Sequence, residues 1–174
     1  RGLGSIRQDL NVSIGAGDRV EIKGCQDLEW IPRIIRLEMA RQLHFYRLAN
    51  ELRDSIGAPP LPPHRDSDDS DVEANVRDLV AAKMPFEIQD VTDLFKECES
   101  KMVAESLEAG AVVLALPLNG FSGYLGTKTL DNEGAQLPRL GRELASAAKL
   151  AGVKGIFHSD ELPVYGITEA ETAA

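Results

Sequence analysis

Residues 5–14, SIRQDLNVSI, alternate. Ile6, Leu10, Val12 and Ile14 share one parity, broken only by Gln8, while Ser5, Arg7, Asp9, Asn11 and Ser13 share the other. Successive side chains of a β-strand point to opposite faces, so the segment predicts a strand with one oily and one polar face. After the glycine-rich turn GAGD (15–18), RVEIKG (19–24) alternates again, with Val20 and Ile22 against Glu21 and Lys23. Two alternating runs around a short Gly turn predict a β-hairpin. Its oily faces coincide, so Arg7, Asp9, Asn11, Glu21 and Lys23 are expected on one surface.

From Asp27 the period changes. Leu28, Ile31, Ile35, Met39, Leu43, Tyr46, Ala49 and Leu52 recur at steps of three and four, which predicts an amphipathic helix to about Asp54. Asp27 suits the N-cap and Pro32 the first turn, where its missing N–H costs least. Residues 55–75 break the pattern with Pro59, Pro60, Pro62 and Pro63 and then Asp66, Asp68, Asp69 and Asp71, and read as an exposed linker or long loop. A second unit is expected from 76. In it, 96–109 reads as a helix with Met102, Val103, Ser106 and Leu107 inward, stopped by Gly110. AVVLALP (111–117) reads as a buried strand. Residues 139–151 read as a helix with Leu140, Leu144, Ala147, Ala148 and Ala151 inward, and VKGIFH (153–158) as a further strand. The order suggests an α+β protein whose second unit is a small sheet with helices on one face.

Composition narrows the function classes. The chain has 174 residues, 43% hydrophobic and 27% charged, with a formal net charge of −9. An acidic balance argues against a broad nucleic-acid-binding surface, which needs clustered Lys and Arg, though a local patch could still meet RNA. Cys25 and Cys98 match no paired motif and read as reduced thiols of a cytosolic protein. No apolar run is long enough to span a membrane. The chain begins at Arg1 inside a running motif, as a piece of something longer would.

The hairpin's polar face carries the most chemistry. Asp9 and Glu21 could hold Mg²⁺, and Arg7 and Lys23 could neutralise phosphate. Cross-strand ion pairs on a solvated face would produce the same pattern. The glycines of NGFSGYLGTKT (119–129) lack the contiguous G-K-[ST] of a phosphate-binding loop and read as a tight exposed loop. His158, Asp160 and Glu161 follow a predicted strand and read as surface groups rather than metal ligands.

GLGSIRQDLNVSI…DRVEIKGCQDLEWIPRIIRLEMARQ (2–42) closely resembles the end of the kinase-amidotransferase core shared by the B and E subunits of tRNA-dependent amidotransferases, through G-[ST]-[IL]-R-x-D-x-N-[VI]-S followed by E-[IL]-K. DVTDLFKECESKMV, VVLALPLNGFSGYLG and RLGRELASAAKLAGVKGIFHSDELPVYGI look like the insert that separates E from B subunits, which is similar to the GAD domain of bacterial aspartyl-tRNA synthetases. The resemblance, to the archaeal E branch, implies 1–54 as the end of the core, 55–75 as linker and 76–174 as a GAD-like two-layer α/β sandwich with a mainly antiparallel sheet. It implies a cytoplasmic ligase that converts Glu-tRNA(Gln) to Gln-tRNA(Gln). ATP and Mg²⁺ serve to phosphorylate the glutamyl γ-carboxylate, and ammonia comes from a partner, the family's asparaginase-like glutaminase (its D chain). No membrane or DNA partner is implied. By position, Asp9 and Glu21 match metal-pocket acids, Arg7 and Lys23 would meet the nucleotide, and Asn11 would orient ligands or substrate. Cys25 and Trp30 depart from the smaller or aliphatic residues expected there. On this reading the rest of the pocket lies outside the chain, and the 174 residues alone are expected to be inactive. The alternative is a non-catalytic tRNA- or subunit-binding module of the same enzyme class.

Overall fold

The computed structural model describes residues 7–64, 70–83 and 87–172. It confirms the α+β class. A hairpin of β1 (Asp9–Val12) and β2 (Val20–Lys23) leads through a 3-10 turn, Leu28–Trp30, into α1 (Ile31–Ser55). Then come α2 (Ser70–Lys83), β3 (Gln89–Asp90), α3 (Lys101–Glu108), β4 (Leu114–Ala115), α4 (Leu140–Leu150) and α5 (Glu169–Thr172). Both pairs, β1 with β2 and β3 with β4, are antiparallel. The chain forms two compact units, one of 1–79 with 129–138, the other of 80–128 with 139–174.

In the first unit, the entry to α1 follows local chemistry. Pro32 occupies the first turn of α1, but the Asp27 carboxylate, accepting from the Glu29 N–H at 2.9 Å, caps the 3-10 turn before it, and α1 itself starts from Trp30 without a side-chain cap. The inward stripe is another matter. Leu28, Met39 and Leu43 are exposed, whereas Gln42 and Leu48 are buried. Period alone locates an oily stripe; the hairpin turn, which meets Gln42, and the segment after Ser55, which meets Tyr46, cover only part of it.

Pro59, Pro60 and Pro63 in that segment are exposed, but it is a loop tied to the helix. Tyr46 Oη donates to the Leu61 carbonyl at 3.0 Å, and the Leu61 N–H donates to Asn50 Oδ1 at 2.7 Å. Arg53 Nε donates to the Pro59 carbonyl and Ala58 is buried, so residues 56–64 run back along α1. Helix α2 begins at Ser70, inside the stretch read as linker, and Asp66, Asp68 and Asp69 lie outside the described residues.

The second unit is built on Phe95, Val103 and Ile167, with Val91, Cys98, Leu107, Val113, Phe157 and Leu162 around them. Gly110 and Gly152 take φ of +81° and +89° just past α3 and α4, the left-handed stop that glycine adopts without a Cβ clash. Several faces differ from expectation. Met102 points outward from α3, and on α4 the buried position is Gly141, with Leu144, Ala147 and Ala151 exposed. The run 111–117 is a half-buried strand, not a buried one. Val113 packs on the core while Val112, Leu114 and Leu116 stand exposed, and only Leu114 and Ala115 pair with β3. Residues 153–158 join no ladder. An apolar run signals burial, but a strand also needs a partner for its backbone, and among the described residues none pairs there.

Candidate functional site on the hairpin

The register places Asp9 opposite Lys23, Leu10 opposite Ile22, Asn11 opposite Glu21 and Val12 opposite Val20. Directly opposed residues share a face, so Asp9, Asn11, Glu21 and Lys23 form one exposed polar surface over an apolar row of Leu10, Val12, Val20 and Ile22. Arg7, two residues before Asp9, joins it. Its Nε and Nη2 donate to the two Asp9 carboxylate oxygens at 3.1 and 3.0 Å. Lys23 Nζ lies 3.3 Å from Glu21 Oε2. The ion pairs therefore run within each strand, not across the strands.

Asp9 and Glu21 are diagonal neighbours. Each carboxylate is matched by its own cation, and no contact joins them. Asp9 also accepts from the Gly24 N–H at 3.2 Å. The Arg7 fork, followed by that N–H, holds the Asp9 carboxyl below its ordinary value, so it is a charged acceptor at neutral pH. Asn11 keeps its carboxamide on the same exposed surface.

The hairpin is fixed from beneath by a residue that periodicity passes over. Gln42 of α1 is 8% exposed. Its Oε1 accepts from the Ile14 N–H at 3.0 Å, and its Nε2 donates to the Val12 carbonyl at 3.2 Å and to Glu38 Oε1 at 2.9 Å. A polar residue on the helix face that meets a hairpin was the only signal in the sequence. Arg36 was also missed. It pairs with Asp131, whose Oδ1 accepts from the Glu133 and Ala135 N–H groups, and its Nε lies 3.1 Å from Glu133 Oε2. Pro32, Arg33, Arg36 and residues 133–135 line a depression of about 580 Å³ that shares no residue with the polar hairpin face.

In the second unit, Asp160 closes the glycine loop. Its Oδ1 accepts from the Gly123 N–H at 2.9 Å, and its Oδ2 from Leu125 and Gly126 at 2.9 and 3.1 Å. Glu161 pairs with Arg139 and approaches His158 Nε2 at 3.4 Å. Burial, then the Arg139 charge, outweigh Asp160 and push His158 down, toward the neutral form. The N–H groups of the glycine loop are thus taken by a carboxylate of the same chain. Among the described residues no three His, Cys, Asp or Glu side chains cluster as a metal site, and no helix is long and apolar enough to cross a membrane.

The family model for the GatB/GatE catalytic domain matches residues 2–133. The chain is similar to the glutamyl-tRNA(Gln) amidotransferase E chain of Thermococcus gammatolerans, 45% identical over 174 residues, all of this chain and 23% of the relative. The counterpart from Pyrococcus furiosus, of the same name, is 43% identical over 171 residues, 98% of this chain and 23% of the relative. That of Haloarcula marismortui is 38% identical over 177 residues, 100% and 23% respectively. The chain therefore spans under a quarter of the length of these curated relatives.

Proposed function

Because the chain belongs to the GatB/GatE catalytic-domain family, we propose that it is part of an archaeal tRNA-dependent amidotransferase and that its hairpin forms one wall of the phosphoryl-transfer site. The observation that carries this is the register, which gathers two carboxylates, two cations and an amide on one exposed face. The relatives are named glutamyl-tRNA(Gln) amidotransferase, which supports Glu-tRNA(Gln) as the substrate of this reading. A carboxylate resists attack by ammonia. Phosphorylating the glutamyl γ-carboxylate with ATP gives an acyl phosphate, whose phosphate then leaves as ammonia adds.

Asp9 and Glu21 suit Mg²⁺, which takes one or two carboxylates and completes its shell with phosphate oxygens and water. When bound, Mg²⁺ would offset charge on the transferring phosphoryl group. Arg7 and Lys23 are the cations of the wall. Each now rests on its own strand's acid, with side chains roughly two-thirds exposed, so an entering phosphate can draw either away at little cost. Asn11, opposite Glu21, can donate to a phosphate or substrate oxygen. Ammonia would come from the asparaginase-like glutaminase partner, and the enzyme would work in the cytoplasm. On this reading the 174 residues alone turn over no ATP, since they are one wall of the pocket.

The second unit is proposed to be GAD-like and non-catalytic, a tRNA- or subunit-contacting module. Its acidic candidates support that: Asp160 is spent on its own glycine loop and Glu161 on Arg139. The proposed role of the hairpin is tested with Asp9→Asn in the full-length protein, measuring ATP cleavage dependent on Glu-tRNA(Gln). A fall of two orders of magnitude or more is expected, and unchanged cleavage would remove Asp9 from the site.

A further inference from the structure

In an extended strand, the carbonyl of one residue and the N–H two residues on project to the same side. The Val12 carbonyl and the Ile14 N–H are such a pair, and the Gln42 carboxamide engages both, N–H to carbonyl and oxygen to N–H. A side-chain amide on α1 thus pairs with the end of β1 as the peptide group of a neighbouring strand would. Its second amide hydrogen goes to Glu38, whose other partner is Arg41, so the side chain is held at its far end as well. The turn closes over it: Gly17 donates to the Ile14 carbonyl at 3.1 Å, and a Cβ on Gly17 would lie 2.3 Å from Gln42 Oε1. Buried, saturated with partners and met by a glycine with no room for a methyl group, Gln42 is built into this junction.

Gln42 does not reach the polar face. It fixes the backbone at residues 12 and 14, and side chains alternate from there, so it sets the direction in which Asn11 and Asp9 are presented. We propose that Gln42 is a positioning residue for the phosphoryl-transfer wall, aligning Asp9 and Asn11 through the β1 backbone. This rests on the functional reading above.

The test uses the full-length protein with its glutaminase partner and ammonia supplied directly, well below each variant's melting temperature. Gln42→Met keeps volume and removes all three hydrogen bonds. Gly17→Ala leaves Gln42 chemically intact but denies it its seat. Both are expected to lower kcat about 10- to 100-fold, about 1.4–2.7 kcal/mol of barrier, with KM for ATP and for Glu-tRNA(Gln) changed less than threefold. A purely structural residue would lower the melting temperature and leave kcat per folded molecule unchanged, and that result in either variant overturns the proposal. Should Gln42→Met fail to fold, Gly17→Ala decides alone. Glu21→Ala is measured beside them. If it is fully active, the site reading fails and takes the positioning role with it. If it is inactive while both other variants keep kcat, only the positioning role falls.

Discussion

Asp160 shows what one carboxylate does when backbone donors converge on it. Burial alone would raise its pKa, but the N–H groups of Gly123, Gly126 and Leu125, together with His158, outweigh burial and hold it below the ordinary 3.8. A lowered carboxylate stabilises the fold above the pKa it has when unfolded, and that contribution is lost as pH falls through the native value. Asp160→Ala leaves three N–H groups without their acceptor and is expected to cost about 1–3 kcal/mol at neutral pH, the lower end where water reaches the loop. Thermal melts at pH 7 and at pH 3 check this. The gap between wild type and variant should shrink at the acid pH, and a gap equal at both would contradict the assignment. In the sequence, Asp160 was legible only as a member of a His-Asp-Glu group. Its partners lie 34 to 37 residues earlier, in the glycine loop, a distance that spacing rules do not span.

Among the elements, those fixed by local chemistry were the most legible. Alternation placed the hairpin and its two faces, because period two and a glycine turn are properties of the segment itself. Pro32 marked the first turn of α1 for the same reason, whereas Asp27 caps the 3-10 turn that precedes it. Elements that depend on distant partners were not. The runs 111–117 and 153–158 carry apolar residues suited to strands, yet one pairs over two residues and the other over none, since composition cannot supply a neighbour. Residues 129–138 are a further case. Their turn, pinned by Asp131 to the Glu133 and Ala135 N–H groups, is tied to α1 by Arg36. Arg36 is the link between that turn and the helix that carries Gln42. Arg36→Ala is expected to loosen the turn and speed limited proteolysis within 129–138, with an unchanged rate of cleavage as the contrary result.

At the scale of the whole molecule, the first unit joins the hairpin and α1, the proline segment that follows directly and folds back along that helix, and the 129–138 turn, which is distant in sequence. The candidate site was legible as a set of residues, because parity alone puts Arg7, Asp9, Asn11, Glu21 and Lys23 on one face. How they pair was not, since ion pairing within a strand and across strands leave the same sequence pattern. Nor was the support beneath them, for helical periodicity counts Gln42 as merely polar. The central claim is that this face performs phosphoryl transfer in an amidotransferase. It is met most directly by Gln-tRNA(Gln) formation in the full complex carrying Glu21→Ala, with ammonia supplied so that the glutaminase is bypassed. Loss of several orders of magnitude with Glu-tRNA(Gln) binding retained is the expected result. Near-normal conversion would contradict it and leave the polar face as a solvated surface.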